Sequence, residues 1–248
     1  MATLTPLPAR EHRTLRAALR AVLLAVPAEG NVAFVHLVAD GHQLSVTGSD
    51  GYWLARVQAP TTLSTQLALP LPGAQRLMEI DQPVSLGPDR IACDGQWLDL
   101  HPGPIPLYER SFPTRDAKRE SFSLGRKELL SALMAIGKRR RSSEHAWGTV
   151  ELECEADGDQ ETATDVDVEL RLRQPRSIRR RLHSAGDIQL DTFEVAVPGR
   201  QLANALQGMA RVERVRLSVW EDTSPLLIES VDRPRGMQYS AVINRCKA

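Results

Sequence analysis

Apolar residues recur every third or fourth position from Glu11 to Val26, with Leu15, Leu19, Val22 and Val26 on one face and Arg13, Arg16 and Arg20 on another. That spacing predicts an amphipathic helix, ended by Pro27 and the turn Glu29-Gly30-Asn31. The pattern then changes to short runs rich in valine, leucine and aromatics. Val32 to Ala39, Gln43 to Thr47 and Trp53 to Gln58 are separated by Asp40-Gly41 and Asp50-Gly51, favoured hairpin dipeptides, so the three runs predict an antiparallel meander. A short helix follows at Ala74 to Ile80, then strands at Val84 to Leu86, Arg90 to Cys93 and Gln96 to Leu100. The second half repeats this plan. It predicts a helix at Leu124 to Ile136, strands at Gly148 to Glu155 and Asp165 to Arg173, and a second helix at Arg200 to Ala210. Strands at Arg214 to Trp220, Pro225 to Glu229 and Gln238 to Ile243 complete it.

An internal echo supports duplication. Leu71-Pro72-Gly73-Ala74-Gln75-Arg76-Leu77 and Val197-Pro198-Gly199-Arg200-Gln201-Leu202 both place Pro-Gly between a strand and an amphipathic turn, and repetition at about half the chain length implies two related domains. The polar, aperiodic stretch Pro113 to Glu120 predicts the boundary, giving domains 1–115 and 118–248. Glu155 to Asp167 is acidic and Gln174 to Gly186 basic; each is expected to be a long hairpin end or loop.

Composition narrows the function classes. With 248 residues, 42% of them hydrophobic and 25% charged, the chain can bury a core, as a soluble globular protein does. Lys plus Arg equals Asp plus Glu at 31 each, so any nucleic-acid role must rest on where charge lies. Cys93, Cys154 and Cys246 are scattered and fit neither a disulfide framework nor a zinc site, which points to a reducing cytoplasm. The longest apolar stretch, Ala17 to Pro27, contains Arg20 and is too short to span a bilayer. His12, His36, His42, His101, His145 and His183 form no metal-spaced pair, and neither a phosphate-binding glycine loop nor a nucleophile elbow occurs. No cofactor, metal or catalytic activity is expected.

Ser49-Asp50-Gly51-Tyr52-Trp53-Leu54-Ala55 resembles the Thr-Asp-Gly-His-Arg-Leu-Ala segment in the middle domain of the bacterial DNA polymerase III beta subunit, the ring-shaped sliding clamp. The helix at 14–26, the strands from Val32 onward, Leu69 to Ile80, and Gly103 to Arg110 before Phe112-Pro113 resemble successive landmarks of that domain. Residues 118–248 resemble the last domain, ending in Tyr239-Ser240-Ala241-Val242-Ile243-Asn244-Arg245; the first domain has no counterpart. The resemblance implies an α+β clamp fold, with sheets outside and two helices inside each domain. It also implies a non-enzymatic processivity factor in DNA replication that surrounds duplex DNA without reading sequence. Because six domains close a ring in that family, a two-domain protomer implies a homotrimer.

Site residues follow from the same alignment. The division of the first helix puts Arg13, Arg16 and Arg20, with Arg10 if the helix starts early, where an inner helix would meet phosphates; an arginine-rich solvated face is the alternative. Lys138-Arg139-Arg140-Arg141 follows the second domain's inner helix, where cations also suit a helix C-terminus. Arg76, Arg126, Lys127 and Arg200 lie on or beside the remaining inner helices. The cluster Arg176, Arg179, Arg180 and Arg181 has no counterpart in the family. A partner-peptide pocket, used in that family by polymerases, the clamp loader and repair proteins, would comprise Val32, Gly51, Tyr52, Trp53, Leu54, Pro106, Arg110, Ser111, Ser240, Val242, Ile243 and Asn244. Tyr52-Trp53 replaces a histidine and arginine, Ser111 an aliphatic residue, and Val-Ile-Asn-Arg a Met-Pro-Met-Arg tail. Two aromatics suit peptide anchors or fill the groove themselves. The alternative function is a clamp-like regulator or decoy that does not encircle DNA. A nuclease would instead require carboxylates converging on a metal.

Overall fold

The computed structural model describes residues 5–28, 33–87, 90–93, 96–99, 108–112, 119–138, 148–155, 165–172, 179–185, 192–220 and 225–246. The chain divides into two units, Met1–Leu107 with Arg235–Tyr239, and Tyr108–Pro234 with Ser240–Ala248.

The first unit runs β1 (Thr5–Pro6), α1 (Ala9–Val22), β2 (Phe34–Asp40), β3 (Gln43–Ser49), β4 (Trp53–Pro60), β5 (Ser64–Pro70), α2 (Leu71–Glu79), β6 (Val84–Leu86), β7 (Arg90–Cys93) and β8 (Gln96–Asp99). Its strands follow the orders β5-β2-β3-β4 and β1-β6-β7-β8. The meander obeys the hairpin signals, with Val35 opposite Gly48 and Leu69, and Val46 opposite Leu37 and Val57. Alternation turns Val35, Leu37, Val46, Val57 and Leu69 into a buried layer under α1, as a sheet with one covered face requires. Gly48 is the point of closest approach: a Cβ there would stand 2.7 Å from the Val22 carbonyl oxygen and 2.8 Å from Val26 Cγ2. Only glycine lets the helix end rest on β3 at that distance.

The second unit repeats the order with β9 (Arg119–Gly125), α3 (Arg126–Lys138), β10 (Thr149–Glu155), β11 (Asp165–Leu172), β12 (Arg179–Ala185), β13 (Thr192–Pro198), α4 (Gly199–Gly208), β14 (Arg214–Trp220), β15 (Leu226–Ser230) and β16 (Gln238–Ile243). Its strand orders are β12-β11-β10-β13 and β16-β15-β14-β9. Phe122, Leu124, Val215, Leu217 and Ile228 are buried on one face of the latter, along with Leu129, Leu133, Leu202 and Leu206 of the helices. Each unit therefore repeats one plan: strand, long helix, four strands, short helix, three strands.

The structure differs from the sequence expectation mainly in element bounds. α2 begins at Leu71, three residues earlier than expected, with Pro72 in its first turn, where proline suits a helix, and α4 begins at Gly199, one residue earlier than expected. The strands leading into them, expected before each Pro-Gly without stated bounds, are β5 and β13, and each ends in proline. The long helix of the second unit starts at Arg126 rather than Leu124, because Arg119–Gly125 is spent in β9, paired with β14 from Arg214↔Gly125 to Trp220↔Arg119. The basic segment, expected as a long hairpin end or loop, contributes a strand, β12, whose antiparallel pairing with β11 runs from Asp165↔Ala185 to Arg171↔Arg179.

Candidate nucleic-acid interface

Helix α1 divides cleanly. His12, Leu15, Ala18, Leu19, Ala21 and Val22 are buried, whereas Arg10, Arg13 and Arg20 are exposed. At 3.6 residues per turn those three guanidinium-bearing positions fall within about 80° of arc. They form a basic stripe along a helix whose opposite face is locked into the core. Such a stripe meets evenly spaced phosphates without presenting anything that distinguishes bases.

Arg16, expected in the same stripe, is used differently. Its Nε donates to the Met78 carbonyl at 2.7 Å, and its Nη1 forms an ion pair with Asp81. Met78 belongs to the last turn of α2, where carbonyls lack intrahelical donors, so Arg16 ties α1 to the end of α2. The second unit has a comparable contact from a different helix position. Arg126 is 6% exposed; its Nε donates to the Val212 carbonyl at 2.8 Å and its Nη1 to the Leu206 carbonyl at 3.0 Å, in the last turn of α4. Burial pulls the Arg126 pKa below that of a free guanidinium, yet its partners are carbonyls that only a donor satisfies. In both units an arginine from the long helix, the eighth residue of α1 and the first of α3, donates to a carbonyl in the last turn of the short one, a contact that spacing along the chain did not disclose.

Lys127, in the first turn of α3, and Arg200, in the first turn of α4, are exposed. Cations there face the positive end of the helix dipole, an arrangement that an external anion relieves. Arg76 is half-buried on α2. The side chain of Lys138 and the whole of Arg139, Arg140 and Arg141 lie outside the described residues, as does Arg176.

The residues expected in a peptide pocket separate by exposure. In the first unit, Ser49-Asp50-Gly51 forms a tight turn. Asp50 Oδ1 accepts from the amides of Tyr52 at 2.8 Å and Trp53 at 2.9 Å, the Ser49 hydroxyl donates to the Trp53 carbonyl at 2.8 Å, and Gly51 has φ of 88°. This left-handed position suits glycine. The turn holds Tyr52 outward, 71% exposed, while Trp53 and Leu54 are each 4% exposed. In the second unit Arg110, Ser111 and Asn244 are exposed, but Ser240, Val242 and Ile243 are buried. Val242 is enclosed by Trp220 and Leu227, with Phe112 packed against that group. Phe112, Trp220 and Leu227 were not among the expected site residues. Tyr108, close by in sequence, is deeply enough placed that burial pushes its pKa up to about 12. Val32 and Pro106 lie outside the described residues.

Among the described residues no group of three or more His, Cys, Asp or Glu side chains is placed to hold a metal ion, and no helix is long and apolar enough to cross a membrane.

No protein-family model matches the sequence, and no curated protein matches it. Solved structures match closely in shape. The DNA polymerase sliding clamp of Bacillus subtilis superposes with a TM-score of 0.77 at 15% identity, covering 100% of this chain and 64% of that one. The DNA polymerase III beta chain of Streptococcus pneumoniae gives 0.78 at 15% identity, covering 100% and 66%. The beta subunit of Pseudomonas aeruginosa gives 0.72 at 18% identity, covering 95% and 65%. The chain thus has the α+β sliding-clamp fold and spans about two thirds of the length of these clamps.

Proposed function

We propose that this protein, folded as a sliding clamp, acts as one: a non-enzymatic processivity factor that encircles duplex DNA and tethers a polymerase or repair protein in the cytoplasm. The observation that carries the reading is the division of α1, whose core face is buried while Arg10, Arg13 and Arg20 stand exposed. Lys127 and Arg200, and Arg76 at the flank, extend the proposed contact; Arg16 and Arg126 support it by bracing the helix ends. With two units per chain, three copies in a head-to-tail cycle would supply six, so the proposed assembly is a homotrimer. Opening such a ring falls to a separate loader.

The experiment is retention on DNA of two topologies. A trimer by light scattering that stays on circular duplex DNA and slides off the linearised form supports encirclement. A chain that remains monomeric at high concentration, or that leaves both forms equally, refutes it.

A second reading is favoured by one observation, the enclosure of Val242 by Trp220, Leu227 and Phe112. If that packing stands for the partner site as a whole, the protein is a clamp-like regulator that holds the fold but not the family's peptide contact. Exposed Tyr52 supports the first reading instead, as an aromatic anchor held ready by its turn. Titration with a clamp-binding peptide separates the two: loss of binding in Tyr52→Ala supports a working contact, and absence of binding in the parent protein supports the regulator.

A further inference from the structure

One face of the β14-β15-β16 sheet in the second unit is closed yet polar. Ser218 lies opposite Leu227, and Leu227 opposite Val242, in one cross-strand row. Trp220 stands two residues beyond Ser218 and Ser240 two before Val242, so alternation puts all five side chains on the same face. The opposite face carries the core row of Leu217, Ile228 and Ala241. Phe112 packs against Trp220, Leu227 and Val242. It is half-buried and follows the four-residue turn Tyr108–Ser111 rather than belonging to the sheet. The row and its cover lie within one unit.

Three polar groups on this face are shut in without partners. Ser218 is 0%, Ser240 4% and Trp220 5% exposed, and among the described residues neither the two hydroxyls nor Trp220 Nε1 has a hydrogen-bond partner. Buried polar groups are nearly always paired, because leaving one unpaired costs free energy. The Phe112 ring covers the apolar part of the face but brings no polar atom to the rest. A peptide segment supplies both: a large apolar side chain where Phe112 sits, and main-chain carbonyls and amides beside it. The indole N–H only donates, so its partner must be an acceptor such as a carbonyl, whereas the hydroxyls take either role.

We propose that Phe112 is a displaceable plug, held on the Trp220, Leu227 and Val242 face in the free protein and exchanged for a large apolar side chain of a partner peptide, whose main chain then pairs the buried polar groups. The inference rests on the reading in which this chain tethers a partner. It makes the enclosure of Val242 a resting state of that contact. Because the plug belongs to the chain, a peptide competes with it at high effective concentration, and the apparent affinity is reduced by the fraction of molecules that are open.

Two fluorescein-labelled peptides test this by anisotropy: Tyr-Glu-Arg-Ser-Phe, the sequence of residues 108–112, and a clamp-binding peptide. Phe112→Ala empties the face. With an open state of about 0.1–10% in the parent protein, the variant is expected to bind both peptides about 10- to 1000-fold more tightly. Adding Trp220→Phe keeps an aromatic ring, removes the donor and should weaken binding again. Equal affinity of parent and Phe112→Ala for the clamp-binding peptide overturns the plug and leaves the contact standing. Failure of both peptides to bind Phe112→Ala overturns the plug and the contact together. The parent protein gives an answer of its own, whether or not the variant folds: its Trp220 indole N–H resonance, identified by its loss in Trp220→Phe, should move as the clamp-binding peptide is added and an acceptor arrives. A resonance that stays in place refutes the exchange.

Discussion

Replacing Arg10, Arg13 and Arg20 of α1 together by alanine removes three exposed guanidinium groups and leaves the buried face of the helix, from His12 to Val22, intact. Each phosphate neutralised contributes about 0.9 to the slope of log K against log salt. For every chain whose α1 lies on the backbone, the slope is therefore expected to fall by up to about 2.7. Raising salt from about 50 to about 200 mM would then weaken the variant about 40-fold less than the parent. Stability should barely move, because alanine is the best helix former and exposed substitutions usually stay within about 0.5 kcal/mol. Arg16→Ala is the internal contrast: it frees the Met78 carbonyl and unpairs Asp81, and should cost about 1–2 kcal/mol with a smaller change in slope. Fluorescence anisotropy on a circular duplex across a salt series, with urea unfolding in parallel, measures both quantities. A triple variant with the parent's slope and the parent's stability would show that the stripe is only a solvated face.

Arg126→Ala removes the donor to the Val212 and Leu206 carbonyls inside the second unit; urea unfolding should show a loss of about 2–4 kcal/mol, with Arg126→Lys recovering part of it. Gly48→Ala forces a methyl group against the Val22 carbonyl and Val26, so about 1–3 kcal/mol should be lost, whereas the same change at Gly73, where nothing lies within 4 Å, should be tolerated. Burial lowers the pKa of His36, and burial followed by the charge of Arg16 lowers that of His12 against the opposing pull of Asp81. Below a pH of about 6.5 the unfolded chain takes up protons that the folded chain resists, so stability present at neutral pH is lost as pH falls toward the folded values. A pH series in which the His12→Gln, His36→Gln double variant loses as much stability on acidification as the parent would refute that assignment.

Local patterns were enough for what local forces decide. The period of α1, the Asp-Gly turns of the first meander, the duplicated Pro-Gly entry to the short helices and most strands of both units were legible, because helix amphipathicity and turn chemistry involve neighbours along the chain. The bounds of β5, β12 and β13 were not. Their place comes from hydrogen bonds to distant partners, such as Val38↔Gln66 and Leu182↔Val168, and such ladders leave little trace in composition.

The same divide runs through the candidate interface. Spacing along the chain establishes that arginines recur on one side of α1 and that Asp50-Gly51 turns the chain at Tyr52. It did not distinguish Arg13, which faces outward, from Arg16, which braces α2, since both fit one helical stripe and differ only in which carbonyls lie beyond their tips. Nor did it separate Lys127, exposed, from its neighbour Arg126, buried against α4 through contacts 80 and 86 residues away. Nor did it show that Val242, expected in a pocket wall, packs with Trp220, Leu227 and Phe112. A side chain's type and spacing are properties of the chain; what it donates to, and whether water still reaches it, are set by residues that only the folded structure brings together.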